Sequence, residues 1–385
     1  MPATPTQGAV LVTGVTGLVG RLVAATMLAE GTRRVVVPVR EGYDEAAVRE
    51  SLAAELDALG APRDAVRSAV VVPMPPIAAI AGLEDAFREH HVREVLHCAG
   101  CLSYFNRKKL QEGNQDFTAG LLAIGKRTGI DRFLYVSTAF CSGMIEDVAA
   151  ESLHRGAGTD PTAYMESKRE TEWMVAESGI PWVIVRPSIV IGDSRTGRYV
   201  GKPYGLYQLW AAAEKFISDR YMPSLYAIAP RLPLQVVHQD AVQAGIRRLV
   251  DAGVSDAIVH LVSREQALPT VRDLWDLWLD GWARPADVYY YDSLDDVPLD
   301  DLEPDERLLV EFAAANIEIS THYWRFETAA LDGLRKGGLA FADAGLESVA
   351  RCQSEFMRSS PRIEQFLSEN ADKRTIVSRI HEHTA

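Results

Sequence analysis

The sequence predicts an α/β chain built on a doubly wound parallel sheet (a Rossmann fold), followed by a smaller, mainly helical C-terminal substrate-binding region. Three observations predict it. Short apolar runs of strand length alternate with helical stretches from residue 9 to residue 192. Those runs are apolar on both faces, as in strands covered on both sides. A turn with glycines at 14, 17 and 20 joins the first run to the first helix.

Ala9-Val10-Leu11-Val12 is the first strand. A helix from Leu18 to Glu30 follows, with Gly31 as its C-cap. Arg34–Val39 is the second strand, followed by a polar helix over Glu45–Leu59. Ala69–Val72, Glu94–His97, Arg132–Val136 and Trp182–Val185 are the third to sixth strands. Helices are expected over Phe117–Thr128 and Ala163–Ser178. Such alternation implies right-handed crossovers, so residues 8–192 are expected to form the dinucleotide-binding domain.

After Arg186-Pro187 the regularity breaks. Asp193–Arg231 is rich in aromatics (Tyr199, Tyr204, Tyr207, Trp210, Phe216, Tyr221, Tyr226) and is expected to form a helical cap over a pocket. Residues 193–385 form the cap and C-terminal helical region. Within them, 233–262 is expected to return to the Rossmann sheet through Leu234-Gln235-Val236-Val237 and a helix from Asp240. The eight acidic residues between Asp292 and Glu306 predict a solvated loop, and a last helical region is expected from Leu308 to the end. No internal repeat is visible.

A chain of 385 residues has room for one large domain with a subdomain, or for two domains. Its 47% hydrophobic and 24% charged residues are ordinary for a soluble globular enzyme. A formal charge of −13 argues against a nucleic-acid footprint and against anionic membranes. An anionic cofactor therefore needs backbone N–H groups and a few local arginines. No apolar run approaches the roughly 18–20 residues that span a bilayer. Met1–Gly8 lacks the charged and apolar regions of a secretory signal and reads as a short tail. Four cysteines in so long a chain make no disulfide framework. The cytoplasm is the expected compartment.

The turn reads Thr13-Gly14-Val15-Thr16-Gly17-Leu18-Val19-Gly20. Gly14 permits the tight turn, Gly17 lets the backbone approach a pyrophosphate, and Gly20 lets the helix pack close to the sheet. Thr16, Leu18 and Val19 complete a cradle at a helix N-terminus, whose unpaired N–H groups favour phosphate. Three glycines alone also mark ordinary turns; the place of these, directly after a strand and opening a helix, favours a dinucleotide. The second strand ends Val37-Pro38-Val39-Arg40, with no carboxylate until Glu41. Arg40, flanked by Arg21, suits a 2′-phosphate, so NADP(H) is the expected cofactor. Two solvated surface arginines are the bland alternative.

Tyr164-Met165-Glu166-Ser167-Lys168 places a tyrosine and a lysine four apart, on one helix face. An adjacent ammonium favours the phenolate and would lower the tyrosine pKa; Lys168 can also hydrogen-bond a nicotinamide ribose. On its own such a pair more often just covers the surface of an amphipathic helix. The fifth strand changes the balance, because it ends Tyr135-Val136-Ser137-Thr138-Ala139-Phe140. Its hydroxyls lie at the C-terminal sheet edge, where ligands bind in open α/β folds. One of them can hold a substrate carbonyl while Tyr164 delivers a proton.

Turn, hydroxyl and Tyr–Lys pair, in this order, resemble the extended short-chain dehydrogenase/reductases over roughly residues 8–262, with Asn114 in support. Within them the chain is most similar to fatty acyl-CoA reductases and the thioester-reductase domains of biosynthetic assembly lines. The residues concerned are His97-Cys98-Ala99-Gly100, Val136-Ser137-Thr138-Ala139 and the run from Arg186 to Ser194. His322–Phe326 is faintly similar to a tryptophan-containing segment of acyl-CoA reductases. The resemblance implies that Thr138 is the catalytic hydroxyl, beside Tyr164 and Lys168. It implies Pro187, Ser188, Ile189 and Val190 along the nicotinamide carboxamide, Ala99 and Gly100 along the cofactor ribose, and a homodimer through helices of the main domain. The chain departs from its relatives at Val72-Pro73-Met74-Pro75-Pro76, where an aspartate usually contacts the adenine. A carrier or adenylation domain is not expected beside the reductase, so any thioester is expected on CoA or a separate partner.

Cys98-Ala99-Gly100-Cys101 matches C-x-x-C, but it lies where small residues suit close approach of the cofactor, and no second pair completes a zinc site. No metal is expected. His90-His91, His381 and His383 are expected to be exposed, and the aromatic cap residues to be mainly core. The function expected is an NADPH-dependent reductase acting on a ketone, aldehyde or acyl thioester of a largely apolar small molecule. An NAD-dependent epimerase or dehydratase is the alternative; Arg40 and the aromatic cap argue against a nucleotide-diphosphate substrate. A non-catalytic dinucleotide sensor is disfavoured by the joint presence of Thr138, Tyr164 and Lys168.

Overall fold

In the computed structural model, which describes residues 8–42, 44–156, 159–217, 221–300, 302 and 304–383, the apolar runs become strands that pair in parallel. They are β1 (Ala9–Thr13), β2 (Val35–Arg40), β3 (Val70–Met74), β4 (Val92–His97), β5 (Arg132–Val136) and β6 (Trp182–Pro187). Four more, β7 (Ile189–Ile191), β8 (Ser224–Ile228), β9 (Val236–His238) and β10 (Ala257–Leu261), precede β11 (Asp287–Tyr291) and β12 (Arg379–His383). The main sheet runs β10-β6-β5-β4-β1-β2-β3. Strand order reverses at β1, which places the glycine turn at the topological switch point. Pro38 is tolerated inside β2 because pairing with β1 ends at Leu11↔Val36, before the missing N–H is needed there.

Both faces are covered, as the apolar strands require. On one face α1 (Leu18–Glu30), α2 (Glu45–Ala58) and the later α8 (Gln239–Ala252) bury Val23, Leu52 and Ile246 against Val10, Val12 and Val37. On the other, α3 (Glu84–Glu89), α5 (Phe117–Thr128) and α6 (Ala163–Ala176) close over Leu11, Val95 and Phe133. A short helix, α4 (Arg107–Leu110), lies between α3 and α5. Helix α1 has the expected bounds, and Gly31 ends it at φ 61°, the left-handed conformation that glycine adopts without a Cβ penalty.

Several expectations for the second half need correction. The seventh strand of the main sheet is β10, paired with β6 from Ala257↔Val183 to Leu261↔Pro187. Leu234–Val237 leads instead into β9, which pairs with β7 in a separate two-stranded sheet. The aromatic stretch contributes one helix, α7 (Leu206–Ile217), and the strand β8. Strands β8, β11 and β12 form a second parallel sheet, so the C-terminal region is less helical than expected. The remaining helices are α9 (Val271–Gly281), α10 (Pro304–Ser320), α11 (Ala329–Lys336), α12 (Leu346–Ser359) and α13 (Pro361–Glu369). The acidic stretch is only partly loop: Val297 and Leu302 are buried and α10 begins within it. His383 is exposed, as expected, and His381 half-exposed; both belong to β12, where they stack on Tyr289 and Tyr291 at 4.4 and 4.8 Å. The His90 side chain is only 11% exposed. The tail at residues 1–7 and positions 301 and 303 of the acidic stretch lie outside the described residues. Among the described residues, no helix is long and apolar enough to cross a membrane.

Candidate functional site

The glycine turn is shaped by close approach. Gly14 has φ 74°, and a Cβ there would lie 2.6 Å from the Ala99 nitrogen. A Cβ on Gly20 would lie 2.5 Å from the Gly14 carbonyl oxygen. Thr13 Oγ1 accepts the Ala99 N–H (3.1 Å) and meets His97 Nδ1 (2.8 Å). His97 is buried, its Nε2 reaches Thr118 Oγ1 (3.0 Å), and burial pushes its pKa down to about 3, so the ring is neutral. These contacts hold the loop after β4 against the turn. Helix α1 has no side-chain cap and no acidic residue in its first turn, which leaves its N-terminal N–H groups for an anion.

A cavity of about 1080 Å³ opens from that turn. Gly14, Thr16, Gly17, Leu18, Val19, Arg21 and Arg40 line its first part. Ala99, Gly100, Thr138, Tyr164, Lys168 and Pro187–Val190 line its middle. Of the expected site residues only Gly20 stands outside, in helix packing. The structure gives Arg21 different partners from the one expected: it faces Glu55 at 3.6 Å and donates to the Val200 carbonyl. Glu55 is buried in α2 and also holds Arg198 at 2.9 Å. Arg40 remains at the end of β2, exposed and on the cavity rim.

Thr162 caps α6, accepting the Met165 N–H (3.4 Å), and so sets Tyr164 and Lys168 at the cavity wall. Lys168 Nζ donates to the Val136 carbonyl (2.9 Å) and lies 6.0 Å from the centre of the Tyr164 ring. Burial lowers the Lys168 pKa to about 8, opposed by the nearby Glu172 carboxylate. The Tyr164 hydroxyl moves the other way from the sequence expectation. Burial pushes its pKa above the ordinary tyrosine value, with smaller contributions in the same direction from the nearby Tyr104, Cys141 and Cys101. Thr138 Oγ1 accepts the Phe140 N–H (3.4 Å) at the end of β5. The Ser137 and Ser188 hydroxyls are buried without a partner.

Asn114 sits on a π-helical turn, Gln111–Asp116, between α4 and α5. Its side chain accepts the Cys101 N–H (2.7 Å) and donates to Ser167 Oγ (2.9 Å), which ties the loop after β4 to α6. A Cβ on Gly100 would lie 2.9 Å from Asn114 Oδ1 and 3.4 Å from Lys168 Nζ. A glycine at 100 is thus favoured by the protein itself. Cys98 and Cys101 are free thiols, and no metal-binding group of side chains occurs among the described residues.

The aromatic cap lines part of the far half of the cavity, as expected, through Tyr199, Tyr204, Trp210 and Tyr226. Sequence reading missed the rest, formed by Val271, Leu274, Trp275 and Trp278 of α9 and by Val310 and Ile317 of α10. The α9 positions recur at helical spacing on one face, a signal that periodicity could have found. Tyr104 spans the junction: its hydroxyl donates to Asn316 Oδ1 of α10 (2.9 Å), and its carbonyl accepts the Tyr164 N–H (3.3 Å).

The male sterility protein family matches residues 12–241, well over half of the chain. The chain belongs to this family. It is a family of extended short-chain dehydrogenase/reductases, NAD(P)-dependent enzymes on a Rossmann core. A 102-residue segment is 39% identical to the spectinabilin polyketide synthase system protein NorA of Streptomyces orinoci; this is 26% of the chain and 5% of that far longer protein. Among solved structures, the terminal R domain of the myxalamid PKS-NRPS pathway superposes with a TM-score of 0.75 at 17% identity, covering 93% of this chain and 92% of that one. A thiolation-reductase di-domain from an archaeal non-ribosomal peptide synthetase gives 0.69 at 16% identity, covering 93% and 76%. The UDP-Glc/GlcNAc 4-epimerase of Campylobacter jejuni gives 0.63 at 14%, covering 92% and 100%. At these identities the likeness is one of fold, shared by reductases and epimerases.

Proposed function

We propose that this member of the male sterility family is an NADPH-dependent reductase of a carbonyl (ketone, aldehyde or acyl thioester) on a largely apolar substrate, with Tyr164 as the proton donor. One observation carries the reading: Thr138, Tyr164 and Lys168 all line the one cavity that also holds the glycine turn and the apolar residues of α7, α9 and α10. The glycine-turn part fits a dinucleotide. Its helix N-terminus is uncapped, and the glycines at 14 and 100 leave no room for side chains. Arg40 at the end of β2, with no acidic residue before Glu41, suits a 2′-phosphate. The reduced cofactor, when bound, supplies the hydride.

The chain's own groups do the rest. The Thr138 hydroxyl orients the carbonyl oxygen at the strand edge. The Tyr164 hydroxyl, its pKa raised by burial, is fully protonated at neutral pH and so is a proton donor in the reductive direction. Lys168, fixed on the Val136 carbonyl, keeps a positive charge near the phenolate as the proton leaves. Trp210, Leu274, Trp275, Trp278 and Ile317 exclude water from an apolar substrate body.

The test is NADPH oxidation, followed at its absorbance, against acyl-CoAs, aldehydes and polycyclic ketones. Arg40→Ala should erode the preference for NADPH over NADH in kcat/KM; an unchanged preference removes Arg40 from the assignment. The second reading, an NAD-dependent epimerase or dehydratase, draws on the fold shared with the epimerase. Turnover of no carbonyl, together with tightly copurified NAD, would favour it.

A further inference from the structure

The cavity has an arm that the reaction does not use. From the N-terminus of α1 it runs away from Tyr164, over the C-terminal ends of β2 and β3, past Pro38, Val39, Arg40, Met74 and Ile77. With a pyrophosphate at the α1 N-terminus and the reacting groups on the β4–β5 side, the second nucleoside of a dinucleotide occupies this arm. Its base therefore lies where β3 exits as Met74-Pro75-Pro76-Ile77.

The side chains of that exit offer the edge of a base no hydrogen-bonding group. Pro75 and Pro76 have no N–H to give to a ring nitrogen, and neither does Pro38 across the slot. The Pro76 carbonyl already accepts the Ala79 N–H (2.8 Å). The side chains are a thioether and a branched alkyl group, neither of which can pair with an exocyclic amine as a carboxylate would. Met74 is buried in the same apolar cluster as Val72 and Ile80, with Ile77 packed against it. What these residues do supply is dispersion against a ring face, including the polarisable sulfur of Met74.

We propose that this slot holds the purine by its faces and does not read its Watson–Crick edge, so that the protein accepts a dinucleotide whose base carries a different edge. The proposal rests on the reading of the cavity as a dinucleotide site. Affinity then comes from the phosphate and ribose contacts, and base identity adds little.

Isothermal titration calorimetry of the full chain with NADP⁺ and with its hypoxanthine analogue tests this without turnover. The analogue replaces the exocyclic amine by an oxo group and turns N1 into a donor, reversing both edge positions. The two dissociation constants are expected to agree within about threefold, less than one well-made hydrogen bond is worth. A larger loss for the analogue overturns the proposal. Failure of both nucleotides to bind instead overturns the dinucleotide reading, so the two failures are distinct. Ile77→Asp adds an acceptor at the half-buried rim, at the edge of the apolar cluster. It should raise discrimination in favour of adenine to more than about threefold, the size of a new hydrogen bond. An unchanged ratio in a folded variant means that the base does not lie against residue 77, and the proposal falls.

Discussion

Glu172 of α6 holds Arg186 of β6 through two hydrogen bonds of 2.9 and 2.6 Å, and neither side chain is exposed to solvent. The other Arg186 donors reach the carbonyls of Ala150 (3.2 Å) and Ser152 (2.8 Å), and the Cys141 thiol donates to Glu172 (3.2 Å). Lys168 lies one turn before Glu172, and Pro187 directly follows Arg186. The pair therefore fixes the helix that carries Tyr164 and Lys168 against the strand that continues into the cavity wall. Arg186→Ala leaves a buried carboxylate uncompensated and should lower unfolding stability by about 3–5 kcal/mol in urea titrations. Arg186→Lys restores the charge without the planar fork and should recover only part. A variant as stable as the native chain would remove the pair from this role.

Lys168 gives the site a pH dependence whose sign follows from its burial. Its pKa falls from the ordinary 10.5 to about 8, so between those values the unfolded chain binds a proton that the folded chain has released. Stability then rises with pH across that window through this group. Lys168→Met removes the contribution, and the stability difference between the two proteins should change with pH between 8 and 10.5 and stay flat below 8. Where the ammonium supports proton delivery, kcat/KM for reduction should fall as pH rises through about 8. Glu172→Gln, which removes the opposing carboxylate, should move that fall to lower pH. A limb that stays in place would mean that another group sets it.

The first half of the fold was legible because its information is local. The first six strands of the main sheet each hold a short run of mainly apolar residues, and Gly31 marks the end of α1 within the sequence itself. Strand β12 could not be read this way. Arg379-Ile380-His381-Glu382-His383 has one apolar residue, and the strand is held by Asp287 pairing with Arg379 and His381 and by stacking on Tyr289 and Tyr291. Those partners lie about ninety residues away. The site divides in the same way. Tyr164 and Lys168 are visible from their spacing, whereas the raised Tyr164 pKa depends on how the cavity closes, and the Arg21 partners come from α2 and the segment at residue 200.

Two glycines separate conformation from close approach. Gly31 has φ 61° with nothing within 4 Å of a Cβ position, whereas Gly14 has φ 74° with backbone atoms from 2.6 Å. Gly31→Ala should cost about 1 kcal/mol of stability and leave dinucleotide affinity unchanged. Gly14→Ala must also displace the loop at Ala99, which should cost about 1–3 kcal/mol and weaken NADP⁺ binding at least tenfold by calorimetry. Equal effects of the two substitutions on binding would contradict the cradle.

Removal of the Tyr164 hydroxyl is the most direct test of the chemistry. Tyr164→Phe keeps the ring packed at the N-terminus of α6, so folding and NADP⁺ affinity should hold while kcat falls about 10²–10⁴-fold. Thr138→Val, which keeps the shape of the side chain and loses its hydroxyl, should lower kcat about 10²–10³-fold. Because both groups act on the same oxygen, the double variant should be little worse than Tyr164→Phe alone. Full turnover by Tyr164→Phe would move the proton to another donor. Tyr104 is then the residue to test next, since its hydroxyl lines the same cavity and is held by Asn316 at 2.9 Å.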